Sequence, residues 1–147
     1  MANGAGYYGV GKKTEKLEGD IWTEIEEPPI NEDNIYNYAV IFHGGYHYYF
    51  GGFYGHYSQG DPLDSIIALQ EKTWTWSDIG KINTPRMGHA VILIGERLMV
   101  VGGWSDKKNE ACVLKNGKFN CTELTSSLFR YQYTPILFLV DNDFDNC

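Results

Sequence analysis

Ala39-Val-Ile-Phe-His-Gly-Gly-Tyr-His-Tyr-Tyr-Phe-Gly-Gly52 lies over Ala90-Val-Ile-Leu-Ile-Gly-Glu-Arg-Leu-Met-Val-Val-Gly-Gly103 without a gap, at an offset of 51 residues. An internal repeat decides the architecture before any single motif is weighed. Each copy is an apolar run, a two-residue turn, a second apolar run and a Gly-Gly pair. The turns Gly44-Gly45 and Gly95-Glu96 can supply the positive φ of type I′ or II′ turns, so each copy predicts a tight hairpin of strands a and b.

Working outward, the first copy runs through a long loop, Phe53 to Leu63, into β-branched Ser65-Ile-Ile-Ala-Leu69, a Glu71-Lys72 turn and Thr73-Trp-Thr-Trp-Ser-Asp-Ile79. These predict strands c and d. The second copy continues past Trp104 to Glu110 into Ala111-Cys-Val-Leu-Lys115, an Asn116-Gly117 turn and Lys118-Phe-Asn-Cys-Thr-Glu-Leu124. Asn-Gly is the strongest short hairpin signal. Upstream, Thr14 to Leu17 and Asp20 to Ile25 read as a strand c and d; downstream, Tyr133 to Val140 reads as another strand a. The expected units are 1–26 (partial, strands c and d), 35–79 and 86–124 (complete), and 130–147 (the start of another).

Four-stranded antiparallel units in series make an all-β, propeller-type chain, and about two and a half of them cannot close a ring that ordinarily needs four to eight. Composition agrees: 15% aromatic residues and 17 Gly suit short strands joined by glycine turns. A formal charge of -7 argues against nucleic acid, because the nearest basic cluster, Lys12, Lys13 and Lys16, is diluted by Glu15 and Glu18. No apolar run approaches the roughly 18 to 20 residues of a membrane span. Met1 to Tyr8 shows no charged segment followed by an apolar one, so no signal peptide is visible.

Gly51-Gly52, Trp76, Thr84-Pro85-Arg86-Met-Gly-His89 and Arg97 to Gly103 together resemble the kelch repeat, whose marks are a double glycine after strand b, a Trp in strand d, and an Arg about ten residues later. Outside the central repeat, Phe119 stands near the Trp position before Arg130, and Trp22 is followed by Pro28-Pro29 with no Arg at the expected place. The resemblance implies structural work for Gly51, Gly52, Gly102 and Gly103 at close backbone approaches, and for Trp76 between sheets. It implies that Arg86 and Arg130 tie neighbouring blades by hydrogen bonds.

The four histidines do not make a metal site. His43 and His47 flank the Gly44-Gly45 turn on opposite sheet faces, His89 fills a repeat position held elsewhere by Tyr38 and Tyr133, and His56 lies alone in a Tyr-rich loop. No nucleophile stands beside an evident base, so neither a catalytic residue nor a cofactor is expected. Some copper oxidases use a kelch-like propeller, but no constellation here can be assigned to such a site.

The expected function is non-catalytic recognition of a protein partner through the b–c and d–a loops, which gather at one end of a propeller and vary without disturbing the sheets. Phe53, Tyr54, His56, Tyr57 and Asp61 in one b–c loop, and Trp104 and Lys107 in the next, combine aromatic, polar and flexible residues. The plainer reading is that they only cover the rim. Alternatives are a glycan-handling or oxidase-like fragment, with the aromatic loop stacking on sugar beside Asp61 or Asp64, and a truncated remnant without independent function. Exposed blade edges also invite self-association.

Cys112 and Cys121 occupy mirror positions about Asn116-Gly117, four pairs out from the turn, where non-hydrogen-bonded partners approach to about 4.5 Å between Cα atoms. That lies within disulfide range. Asn120-Cys121-Thr122 is also an N-glycosylation sequon with Asn120 as acceptor, so two features suggest a secreted parent. The alternative is a cytoplasmic protein with two reduced thiols. Cys147 is left over.

Overall fold

The computed structural model describes residues 2–3, 14–30, 35–55, 60–104 and 108–125. Among these residues every regular element is a strand. β1 (Ala2–Asn3), β2 (Thr14–Glu18) and β3 (Ile21–Ile25) form an N-terminal sheet in that order. β4 (Ala39–His43), β5 (Tyr46–Phe50), β8 (Ser65–Gln70) and β9 (Thr75–Lys81) form the first complete blade; β6 (Phe53–Tyr54) and β7 (Asp61–Pro62) make a small separate ribbon within its b–c loop. β10 (His89–Ile94), β11 (Arg97–Gly102), β12 (Glu110–Lys115) and β13 (Lys118–Glu123) form the second. The protein is an all-β, partial propeller of antiparallel four-stranded blades, an incomplete ring.

The turns follow from their residues. Gly44 and Gly45 lie at φ +60° and +81°, and Asn116 and Gly117 at +53° and +75°, the double positive φ of a type I′ turn. Their hairpins hold the expected register: His43 opposes Tyr46, Phe42 opposes His47, and Cys112 opposes Cys121. One local expectation is corrected. The c–d turn of the first blade spans Glu71 to Trp74, with Trp74 at φ +56°, so strand d begins at Thr75 and Trp74 does not share a strand face with Trp76. At the N-terminal edge, Ala2 and Asn3 cover part of strand c by pairing with Glu15 and Thr14. The predicted strand from Tyr133 lies outside the described residues.

The two complete blades pack face to face as halves of a flattened, nearly closed barrel. β4 and β10 meet at the inner edge, and one parallel bridge, Phe119 with Gly80, joins the outer strands. Gly80 has φ +137°, and a Cβ there would stand 2.9 Å from the Phe119 carbonyl oxygen, so the stitch requires glycine. Between the sheets lie Ala39, Tyr48, Phe50, Ile66 and Ala68 from one side and Leu98, Val100, Cys112 and Phe119 from the other. Each fully buried aliphatic or aromatic side chain contributes about 1.5–3 kcal/mol. A smaller cluster, Tyr49, Ile67 and Leu69 with Ile25, Tyr38, Trp74 and Trp76, joins the first blade's other face to the N-terminal sheet.

Candidate recognition surface

The b–c and d–a segments meet at one end of the blades through backbone hydrogen bonds. Gly52 N donates to Arg86 O at 2.9 Å, Gly88 N to Asn37 O at 2.8 Å, and Trp104 N to Met87 O at 2.9 Å. The offset of 51 residues persists here: Gly52 faces Tyr36 O and Tyr38 Cβ as Gly103 faces Met87 O and His89 Cβ. Ile35, Tyr36 and Tyr38 of the first seam are therefore the equivalents of Arg86, Met87 and His89 of the second. A Cβ on Gly51 would come within 2.6 Å of Arg86 O, so this crossing too admits only glycine.

Arg86 is wholly buried, and all three of its guanidinium nitrogens donate. Nη1 donates to Gly102 O at 3.0 Å, and Nη2 to Lys108 O at 2.8 Å and Glu110 Oε1 at 2.7 Å, with Nε 3.3 Å from Thr84 O. Glu110, equally buried, also accepts from Asn83 N at 2.7 Å, Asn83 Nδ2 at 3.1 Å and Thr84 N at 3.2 Å. Burial pushes the guanidinium below its usual range and Glu110 pushes it back. The ion pair thus fastens the d–a segment of one blade to strands b and c of the next. His89 sits beside it, 5% exposed and against the Phe50 backbone. Burial first, and the Arg86 charge second, lower its pKa to about 3, so the ring is neutral at ordinary pH.

Glu110 escaped the sequence reading, and the repeat explains why. Val100 pairs with Glu110 as Tyr49 pairs with Ile67, so the acid's equivalent one blade earlier is Ile67, and the repeat carries no acidic signal. The same register gives the place of Trp76, opposite Leu69, to Cys121, opposite Cys112, and not to Phe119. Between that pair and its turn the second hairpin has three further cross-strand pairs where the first has one, and its turn is two residues shorter, which hides the match along the chain. Cys112 and Cys121 are joined, with Cα atoms 4.0 Å apart.

Above this frame, the proposed contact residues separate. Phe53 is 4% exposed and packs on Tyr36 with ring centroids 5.3 Å apart, so it anchors the b–c loop from within instead of offering surface. Tyr54, half-buried, donates through its hydroxyl to Asp61 Oδ2 at 3.4 Å across the β6–β7 ribbon, and Asp61 is exposed. Trp104 is 60% exposed. His56, Tyr57, Lys107 and Arg130 lie outside the described residues. Trp76 donates from Nε1 to Glu26 O at 2.8 Å and packs on Tyr49, which places it at the N-terminal seam. Among the described residues no group of His, Cys, Asp or Glu is placed to hold a metal, and no helix is long and apolar enough to cross a membrane.

No protein-family model matches the sequence. The chain is 32% identical over 97 residues to multiple epidermal growth factor-like domains protein 8 of Mus musculus, covering 62% of this chain and 4% of that protein. The Rattus norvegicus protein of the same name is 32% identical over 91 residues, covering 58% of this chain and 3% of its own length. The chain thus spans a small fraction of the curated relatives it matches. Among solved structures, that of YjhT superposes with TM-score 0.55 at 16% identity, over 77% of this chain and 45% of that one. The likeness is one of fold, to a β-propeller-like protein.

Proposed function

We propose that the chain is part of an extracellular kelch-type propeller that recognises a protein partner, without catalysis, through its b–c and d–a loops. The observation that carries this reading is the contrast at the loop end: a wholly buried Arg86–Glu110 pair holds the loop bases while Trp104, directly bonded to the d–a segment through its backbone, stays 60% exposed. Rigid support beneath an exposed aromatic is how interface anchors are built. Tyr54 and Asp61, joined across the ribbon, add a second aromatic and an acid.

The section belongs to a larger ring on this reading. Ile92, Met99 and Val113 alternate with core-facing neighbours and point away from the first blade, the kind of half-buried apolar face that a next blade covers. The Cys112–Cys121 bond supports an oxidising compartment, as does the name of the mammalian relatives, since growth-factor-like modules of that type are disulfide-dense and secreted.

Cross-linked capture from a cell-surface protein preparation tests the proposal, with Tyr54→Ala and Trp104→Ala as comparison baits of unchanged melting temperature. The wild type retains a partner that both variants lose. A partner released by enzymatic deglycosylation of the preparation would assign the site to sugar instead, and equal capture by all three baits would remove these loops from the function.

A further inference from the structure

Asn120-Cys121-Thr122 is the one Asn-x-Ser/Thr triplet in the 147 residues, and its middle residue is half of the disulfide. Asn120 and Thr122 are exposed on β13, the outermost strand, and alternate with Phe119 and Cys121, which face the first blade. Their equivalents in the first blade are Thr75 and Ser77, by the match of Leu69 opposite Trp76 to Cys112 opposite Cys121. Thr75 and Ser77 remain exposed even though the second blade packs on that sheet face. A further blade seated in the same way would leave Asn120 in solvent, so a bulky group there is compatible with a longer propeller.

We infer that Asn120 carries an N-linked glycan, and that it is attached before Cys112 and Cys121 close. The inference rests on the extracellular reading. In the transfer, Asn120 Nδ2 bonds to the anomeric C1 of a lipid-diphosphate-linked oligosaccharide; the C1–O bond to the diphosphate breaks, the lipid diphosphate leaves, and the amide gives up a proton. In the closure, both thiols lose a proton and an electron to a disulfide-type oxidant, which is reduced to a dithiol. The order follows from geometry. In the folded hairpin, Lys118 to Glu123 pair with β12 over six positions and Cys121 is covalently tied to it, so the triplet is held extended. A transferase that must bend Asn and Thr together around one reacting amide needs the triplet free of the sheet.

The test is a pulse-chase of the full chain, placed behind a cleavable secretion leader in eukaryotic cells, with endoglycosidase mobility and non-reducing gels read together. The wild type shifts by one glycan and Thr122→Ala by none. The glycosylated fraction of Cys112→Ser is at least that of the wild type, and chains already closed but unmodified stay unmodified through the chase. The inference is overturned if the wild type does not shift, if Cys112→Ser is less modified than wild type, or if closed, unmodified chains gain a glycan later. The leader imposes the compartment, so failure here is distinct from failure of the extracellular reading, which the parent protein's native location decides.

Discussion

The two seams of this molecule solve one packing problem with opposite chemistry. Between the first and second complete blades the equivalent positions hold Arg86, Glu110 and the Cys112–Cys121 bond; between the N-terminal sheet and the first blade they hold Ile35, Ile67 and the Leu69 to Trp76 pair. Arg86 and Glu110 have been exchanged together for isoleucines, and a cystine for an aliphatic–aromatic pair. The polar seam fixes direction, since the guanidinium must meet Gly102, Lys108 and Glu110 at once. The apolar seam relies on contact area, and Ile21, Trp22 and Leu17 of the N-terminal sheet remain exposed beside it. The exposed Trp104 stands over the polar seam.

The comparison breaks most directly at the ion pair. Arg86→Ala or Glu110→Ala alone strands a buried charge and lowers stability by about 3–5 kcal/mol in urea unfolding. The double change Arg86→Ile with Glu110→Ile, which copies the first seam, costs clearly less than the two single changes added together. It does not reach wild type, because Asn83 N and Thr84 N lose their acceptor. Additive single and double costs would show that the two residues do not act as a pair.

Acid attacks the same seam. Free imidazole binds a proton near pH 6.5, whereas His89 in the fold resists until about pH 3. Between those values the unfolded chain takes up a proton that the native one refuses. The contribution is therefore complete above about pH 6.5 and falls as pH drops, by roughly 3 kcal/mol between pH 7 and pH 4 at 1.4 kcal/mol per unit. His89→Leu flattens that part of the pH–stability profile; an unchanged slope would place the titration elsewhere.

Removing the covalent tie is expected to cost slightly less. With the cysteines nine positions apart, Cys112→Ser with Cys121→Ser lowers stability by about 2–3 kcal/mol, measured by thermal unfolding of the oxidised parent and the variant. At the apolar seam the effect is smaller. Trp76→Phe keeps much of the packing but loses the Nε1 bond to Glu26 O, costing about 1 kcal/mol. Its mark is faster hydrogen exchange in Ile21–Ile25 with none in β12, and faster exchange in both would mean that the seams are not separate.

The readability of these features in the sequence followed the range of the interaction. Hairpins were legible because Gly44-Gly45 and Asn116-Gly117 dictate their own backbone angles, and the cystine because that register carried it four pairs from the turn. Trp74 was misplaced because a four-residue turn can absorb a tryptophan at positive φ that alternation assigns to a strand. Phe53 read as surface because a loop aromatic gives no local sign of a partner as distant as Tyr36. Glu110 was invisible for the same reason: its meaning lies 24 residues back, at Arg86, and the repeat that exposed everything else carries isoleucine at both places.

Native-state hydrogen exchange on the intact chain tests the central claim, that the polar seam makes the two complete blades one rigid frame beneath the loops. The account predicts that amides of β4, β5 and β8 and of β10 to β12 exchange with a single, highest free energy of opening, while those of β2 and β3 open at a lower one. Exchange of the second blade independently of the first, at the level of β2 and β3, would contradict it.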